Sequence, residues 1–217
     1  MSFTPQQIID DARPTINDSA KARHTDADGL RYIKGGIRAL ALLRPDLFVQ
    51  RGLLETVALQ VDQDISSEKP DALKLRAIFA TEAGVPIAEC DLSSLDEFTP
   101  TWRTATAVSS PYNWARFPQD DPVNGSGTRY YLSPAPKAGV NVMGEWVEAT
   151  APATLSTDIE LPDAYFEPLR HYYIFCAESM DDEHVVTQRA AQSMNVFMQG
   201  IGLAKVGKSI QNEGRNQ

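Results

Sequence analysis

Two long amphipathic patterns close the chain, and they limit what it can fold into more than any other feature. The first begins at Pro162, where a proline costs a helix nothing because its missing N–H would be unbonded there anyway. The acidic run Asp181 to Glu183 suits a second helix start, since negative charge meets the positive end of the backbone dipole. We predict an antiparallel pair of helices over about 162–180 and 182–202. Their apolar stripes are Tyr165, Leu169, Tyr172, Cys176 and Met180, then Val186, Ala190, Met194, Phe197 and Ile201.

Two further helices are predicted near the N-terminus, over about 4–13 and 25–44. Thr4 and Thr25 are suitable caps, and each helix ends at an Arg-Pro step because the residue before a proline is pushed out of the helical region. The pair Gly35-Gly36 costs the second helix about 1 kcal/mol per glycine. Close packing against another helix is the expected compensation, so both ends of the chain should share one helical layer.

The middle of the chain, about 50–150, reads as a β region because short apolar runs alternate with prolines and glycines. The segment 69–84 fits either a helix or a strand. A proline near its start and a glycine at its end permit a helix, whereas the alternation of its apolar residues indicates a strand. Strands are predicted at 53–61, 112–117, 128–132 and 140–147. The predicted fold class is therefore α+β, a helical body formed by the N-terminal and C-terminal helices with an inserted β region of short antiparallel strands.

The net charge of −9 over 217 residues restricts the possible partners. Proteins grip nucleic acid with clustered Lys and Arg, so this chain is not expected to bind DNA tightly, although it could surround DNA. The first residues lack a basic stretch followed by an apolar core, and no run of about 18 apolar residues occurs. We expect a protein without a membrane partner that stays in the cytoplasm of the cell that makes it.

No group of residues predicts an active site, a metal site or a cofactor site. The histidines and acids of the two C-terminal helices match no metal signature, and surface or packing roles are expected for them. The acidic clusters fall in predicted loops or helix starts, where solvated charge is the expected state. The thiols lack metal or redox spacing and are predicted to be idle. These residues are His171, His184, Glu178 and Glu183; Asp62, Asp64, Asp120 and Asp121; and Cys90 and Cys176.

Aromatic side chains are concentrated in the β region, and they suggest either a sheet core or an interface. Both roles fit, because aromatic rings pack well on pleated surfaces and dominate contact energies. A carbohydrate-binding platform is the alternative. The aromatic residues concerned are Trp102, Tyr112, Trp114, Tyr130, Tyr131 and Trp146, and all of these except Tyr112 form the interface hypothesis given below.

The last fifteen residues, 203–217, differ from the rest of the chain in charge. The tail contains three basic residues, Lys205, Lys208 and Arg215, and one acidic residue, Glu213. Its net charge is therefore +2, and that of the remaining chain is −11. Two interpretations are open. The tail is either disordered, as many termini are, or a docking segment that becomes ordered on a partner surface.

Several short motifs follow one another in an order that points to a known family. They are Leu30 to Ile33, Ile37 to Leu40, Arg44 to Phe48, Pro100 to Trp102, Tyr130 to Pro136, Ala151 to Ala153, Leu161 to Tyr165 and Ala190 to Phe197. Over about residues 3–202 this order resembles the head-to-tail adaptor, or connector, proteins of tailed bacteriophages, particularly short-tailed ones. The resemblance also favours a strand for 69–84 and a return strand at 87–92. The chain departs from the pattern around 62–69 and 108–127.

The resemblance implies a structural virion protein and no enzyme, with a single adaptor domain over 1–202 and a basic tail over 203–217. Members of this family form a ring, usually of twelve copies, between the portal and the tail nozzle or tube. Double-stranded DNA passes through the ring without specific binding, and no cofactor is required. The expected place is the neck of the virion at the portal vertex, after assembly in the host cytoplasm.

Two sets of residues are hypotheses for the contacts of such a ring. Lys205, Lys208 and Arg215 would dock on acidic groups of the portal, and the aromatic residues of the β region would supply the subunit interface. Two other functions remain open from the sequence. One is a tail or baseplate protein that binds glycans, and the other is a small hydrolase with paired carboxylates.

Overall fold

The computed structural model describes residues 2–118, 127–180 and 187–202. The chain divides into two compact units. One, the helical unit, comprises Met1–Arg44 together with Ala151–Gln217, and the other, the β unit, comprises Pro45–Thr150. The β unit is thus inserted in sequence between the two parts of the helical unit, which confirms the predicted α+β class.

The N-terminal helices form where their capping signals predict. Helix α1 spans Pro5–Ala12 and helix α2 spans Asp26–Leu43. Both begin with a capping box, in which the Thr4 or Thr25 hydroxyl accepts from a backbone N–H three residues later and that residue's side chain accepts from the cap N–H. Each box satisfies two N–H groups at the start of its helix, and in α1 the N–H of Gln6 donates to the carbonyl of Leu155 at 3.1 Å.

The C-terminal helices pack antiparallel, as predicted. Helix α4 spans Phe166–Met180 after a short turn, and helix α5 spans Thr187–Gly200. Arg189 near the start of α5 bonds Glu178 near the end of α4 at 3.0 Å. At the other end, a side chain on Gly200 would meet the Pro168 ring at 2.6 Å. The predicted beginning of α5, at 182–186, lies outside the described residues.

The buried side of α4 differs from the predicted stripe. Leu169 is buried as expected, but Tyr173 and Ala177 are buried where Tyr172 and Cys176 were predicted to be. The reason is that α4 contacts α1, α2 and α5 together, so partners cover it on more than one side. A single apolar stripe therefore describes this helix poorly.

The paired glycines of α2 lie against α4, which confirms the predicted close packing. A methyl group built on Gly36 would come within 3.0 Å of the Tyr172 ring and 3.1 Å of Leu169. The same methyl on Gly35 would lie 3.6 Å from Tyr172, an ordinary contact distance. Two neighbouring glycines thus differ in how much space surrounds them.

This difference predicts opposite effects for two substitutions. Gly35→Ala should raise the free energy of unfolding by about 0.5–1 kcal/mol, because alanine removes the helix cost of glycine without a clash. Gly36→Leu should lower it by about 1–3 kcal/mol, because the added side chain overfills the α2–α4 contact. Chemical denaturation of the two variants measures both changes. Equal effects at the two positions would contradict the packing described here.

The β unit contains two sheets. One has the order β1-β7-β3 and the other the order β2-β6-β5-β4. The strands are β1 Val49–Glu55, β2 Asp62–Asp64, β3 Ala72–Thr81, β4 Ala88–Glu89, β5 Asn113–Arg116, β6 Arg129–Ser133 and β7 Asn141–Glu148. The segment 69–84, which the sequence left ambiguous, is therefore mainly strand. Its neighbour helix α3, Leu92–Phe98, was not predicted.

Three details of the predicted β region are wrong. The strand expected at 53–61 is β1, which begins at Val49 and ends at Glu55, because the chain leaves the sheet there and forms a loop. The return strand expected at 87–92 has only two residues, since Leu92 already starts α3. Strand β4 also pairs with β5 in parallel, so the strands are not all antiparallel.

The two sheets pack face to face around the main core of the β unit. Leu54, Ile78 and Val142 come from the three-stranded sheet, and Trp114 and Leu132 come from the four-stranded sheet. A smaller cluster is formed by Leu95 of α3, Trp102 in the turn after α3 and Ala115 of β5, with Tyr131 of β6 packed against them. The period of two along β5 and β6 thus supplies both clusters.

Candidate interface surfaces

The aromatic residues predicted as a subunit interface lie mainly in the core of the β unit. Trp102, Trp114, Tyr130 and Trp146 are each at most 5% exposed, and Tyr131 is half-buried. Their apolar surface is already covered by the same chain. Of the two predicted roles, core and interface, the structure assigns the core to these four, because a neighbouring subunit would reach them only by opening the unit.

Polar contacts hold the tryptophans in this core. The indole N–H of Trp102 donates to Asp96 at 2.8 Å, and that of Trp146 donates to Glu148 at 2.7 Å. Burial raises the pKa of the Tyr130 hydroxyl well above its ordinary value. The two indole N–H groups of Trp102 and Trp146 are thus satisfied within the subunit, as expected for core residues.

Exposed apolar side chains lie elsewhere in the β unit, in two groups. Leu53, Val57 and Leu59 follow one another along β1 and the loop after it, and we name them the β1–β2 rim. Phe79, Val85 and Tyr112 lie on β3, in the turn after it and beside β4, and we name them the β3–β4 rim. All six are at least 38% exposed, and Leu59 reaches 74%. The other exposed large apolar residues in the described ranges are Leu42, Leu43 and Phe98.

Each rim follows the chain from one sheet to the other, but the two rims lie close together, since the guanidinium of Arg51 in β1 lies over the Phe79 ring of β3 at 4.6 Å. Strands β1 and β3 are the outer strands of one sheet, and β2 and β4 are the outer strands of the other. The loop after Glu55 connects β1 to β2, and the turn after Thr81 connects β3 to β4. The main-chain carbonyl of Tyr112 accepts from the N–H of Ala88 in β4 at 2.9 Å, and its N–H donates to the carbonyl of Ser133 in β6 at 3.3 Å, so Tyr112 lies between these two strands.

A buried glutamine shapes the loop of the β1–β2 rim. Gln63, 2% exposed, accepts from the N–H of Val57 at 2.7 Å and donates to the carbonyls of Val57 and Gln60 at 3.0 and 2.6 Å. The N–H of Leu59 donates to the carbonyl of Pro136 at 2.8 Å. The loop is therefore tied at three of its residues. Sequence reasoning missed it because its alternating residues resemble a strand.

A family comparison gives these surfaces their context. A model of the SU10 adaptor protein family matches residues 3–216, nearly the whole chain. The chain belongs to the SU10 adaptor protein family. It is a structural head-to-tail adaptor of a short-tailed bacteriophage, which makes it a component of the virion neck with portal and tail proteins as partners. A search of curated proteins finds no match.

The residues predicted to dock this adaptor on the portal, Lys205, Lys208 and Arg215, lie outside the described residues. They fall within the part of the chain that the SU10 adaptor family model matches. Their role stays a prediction. Across residues 2–118, 127–180 and 187–202, no helix has the length and apolar content needed to cross a bilayer.

Of the candidate metal-binding residues on the C-terminal helices, Glu178 and His171 are the two that the structure describes. Glu178 is buried and bonded by Arg189, and His171 lies 3.8 Å from Glu167. Burial lowers the pKa of His171, which favours its neutral form. His184 and Glu183 lie outside the described residues. Within the described part of the chain, no three His, Cys, Asp or Glu residues are placed to hold a metal ion.

The remaining candidates for a reactive or metal-binding site are the acidic pairs and the two cysteines. Asp62 pairs with Arg129, and Asp64 accepts from the N–H of Ser66 at 2.9 Å. The third acidic pair, at 120–121, lies outside the described residues. Both thiols are free, and burial raises the pKa of Cys176 to about 11, so this thiol stays protonated near neutral pH.

Proposed function

We propose that this adaptor assembles as a ring, of twelve copies, that joins the portal to the tail nozzle or tube and encloses part of the DNA ejection channel. The family match over residues 3–216 is the observation that carries the proposal. The role is structural, with no catalytic step and no cofactor. Assembly would take place in the host cytoplasm.

The charge of the chain supports a conduit. With a net charge of −9, a ring of many copies would carry a strongly negative field. Such a field repels the phosphate backbone, so a duplex slides past without the counterion release that strengthens binding. Double-stranded DNA would therefore pass through without specific binding.

The burial of the tryptophans weighs against the glycan-binding alternative. A sugar platform needs exposed aromatic faces, whereas Trp102, Trp114 and Trp146 are at most 5% exposed.

Deletion of the gene from the phage distinguishes a head-to-tail adaptor from a glycan-binding tail protein. We expect heads that fill with DNA but carry no tails, and complementation in trans should restore tails. Electron microscopy and infectivity measure both outcomes. Complete tailed particles that merely fail to adsorb to cells would contradict the adaptor proposal and support a glycan-binding role.

We further propose that the basic tail 203–217 docks on acidic groups of the portal through Lys205, Lys208 and Arg215. An adaptor truncated after Gly202 should then keep the melting temperature of the full chain but fail to join portal rings in a pull-down. A matched variant in which the three basic residues are changed to glutamine keeps the full tail and removes only its positive charge. Normal portal binding by both variants would contradict this docking.

A further inference from the structure

The last turn of helix α2 carries two large apolar side chains that are exposed. Leu42 is 65% exposed and Leu43 is 38% exposed, although the helix as a whole packs on α1 and α4. Among the described residues of the helical unit, these are the only large apolar side chains in the exposed class. Because both lie at one end of the unit, this end is a candidate contact surface.

The end of helix α5 lies beside this pair of leucines. Arg44 follows Leu43 directly, and its guanidinium donates to the main-chain carbonyl of Ile201 at 3.2 Å. The described part of the chain ends at the next residue, Gly202. The segment 203–217 therefore begins close to a point that is bonded to the end of α2.

Leu42 lies on the side of α2 that faces α5. It follows Gly35 by two helical turns, so these two residues share one side of the helix. A methyl group built on Gly35 would lie 3.6 Å from the Tyr172 side chain of α4, and the Tyr172 ring packs on the Phe197 ring of α5 with centroids 5.1 Å apart. Leu42 thus borders the space between the C-terminal ends of α2 and α5.

Gly202 ends α5 with a turn that commonly directs the next residue back onto the helix. Its φ is 82°, in the left-handed region, and its N–H donates to the carbonyl of Gln199 at 3.0 Å. These are the features of a glycine cap, after which the following residue is often apolar and packs against the last turn of the helix. The following residue here is Leu203.

The sequence of the tail has one apolar side and one basic side. Leu203, Val206 and Ile210 recur at spacings of three and four, which places them together on one side of a helix. Lys205 and Lys208 fall on the opposite side of such a helix. A segment with this pattern can cover an apolar surface and still present its charges to solvent.

We infer that the apolar side of the tail 203–217 packs on Leu42 and Leu43 of its own subunit. Covalent attachment beside this surface gives the tail an effective concentration on the order of millimolar or higher, which favours the tail over a separate partner. The two lysines then point away from the subunit, where they are available for the portal docking proposed above. This packing is a property of the isolated subunit and requires no portal.

Protection of a thiol at position 42 tests this packing. Leu42→Cys is alkylated with iodoacetamide in the full chain and in a chain truncated after Gly202, and peptide mass spectrometry follows position 42 separately from Cys90 and Cys176. We expect alkylation to be on the order of fivefold slower in the full chain, because the thiol reacts only while the tail is displaced. Docking of this strength is weak enough that the truncated chain still melts within about 2–4 °C of the full chain.

Further variants identify which side of the tail is responsible for the protection. A full chain with Val206→Ser and Ile210→Ser should react as fast at position 42 as the truncated chain does. Exchange of Lys205 and Lys208 for glutamine should leave the protection unchanged, because the lysines lie on the other side of the tail. Phe98→Cys is the control, since Phe98 is 76% exposed in the β unit and this thiol should react equally in the full and truncated chains.

Three results would overturn the inference. They are equal alkylation at position 42 in the full and truncated chains, protection that survives Val206→Ser and Ile210→Ser, and protection that increases with protein concentration, since a second copy would then cover Leu42. A subunit whose tail protects position 42 but which does not bind the portal would support this packing and contradict only the proposed portal docking.

Discussion

Exchange of Arg13 for alanine is expected to lower the free energy of unfolding of the helical unit by about 3–5 kcal/mol, because it leaves a buried carboxylate without its counter-charge. Arg13 is 3% exposed and its guanidinium bonds Asp18 at 3.2 Å, the carbonyl of His24 at 3.1 Å and Asp26 at 2.8 Å. One side chain thus ties the end of α1 to the loop before α2.

The matched control is Arg31→Ala. Arg31 also pairs with an aspartate, Asp28 at 3.1 Å, but its side chain is 65% exposed. Exposed pairs contribute about 0–1 kcal/mol, so this variant should melt close to the wild type. Chemical denaturation of both variants measures the difference, and similar losses would show that burial does not determine the effect of Arg13.

The Arg13 contact should also depend on pH. Burial raises the pKa of Asp18, but hydrogen bonds from the N–H groups of Arg23 and His24 and the charge of Arg13 outweigh it, so the pKa lies below its ordinary value of 3.8. A lowered folded-state pKa stabilises the fold above the ordinary value, and this stabilisation disappears as pH falls through the folded pKa. The difference between wild type and Arg13→Ala should therefore shrink in acid.

Trp114→Ala is the second substitution with a large expected effect, a loss of about 3–5 kcal/mol in the stability of the β unit. Trp114 is 1% exposed and packs between the two sheets with Leu132 and Val142. The cavity left by the indole cannot be filled without moving a strand. Thermal unfolding of the isolated, unassembled chain measures the loss.

The neighbouring residue Tyr112 provides the control for this substitution. It lies two positions away but is 53% exposed, so Tyr112→Ala should change the stability of the unassembled chain by no more than about 0.5 kcal/mol. If Trp114→Ala melted like the wild type and lost only assembly, the indole would belong to a subunit interface, and the core assignment would be wrong.

The sequence predicted the helix starts correctly, because there a side chain forms hydrogen bonds with backbone groups only a few residues away. The capping boxes at Thr4 and Thr25 and the close contact at Gly36 follow from residues within one helix and its immediate neighbour. The side of α4 that is buried did not follow, because it depends on three other helices at once. The pattern of one helix cannot specify its partners.

The candidate interface was harder to predict than the fold. Aromatic content indicates large contact energy but does not distinguish a core from a surface, so the sequence left both roles open for Trp102 and Trp114, which are buried in the subunit. The exposed Leu59 carried no signal, since its backbone φ of 63° and the exposure of its side chain are visible only in three dimensions. The bonds of Gln63 that create this loop link residues whose sequence pattern resembles a strand.

The central claim, that this chain is a portal-bound adaptor ring, is tested most directly by native mass. The purified protein is measured alone and after mixing with the portal of the same phage, by native mass spectrometry. We expect subunits that convert to a ring of about twelve copies on the intact portal, in line with a closed heterologous assembly. A protein that ignores an intact portal ring would contradict the proposed position in the neck.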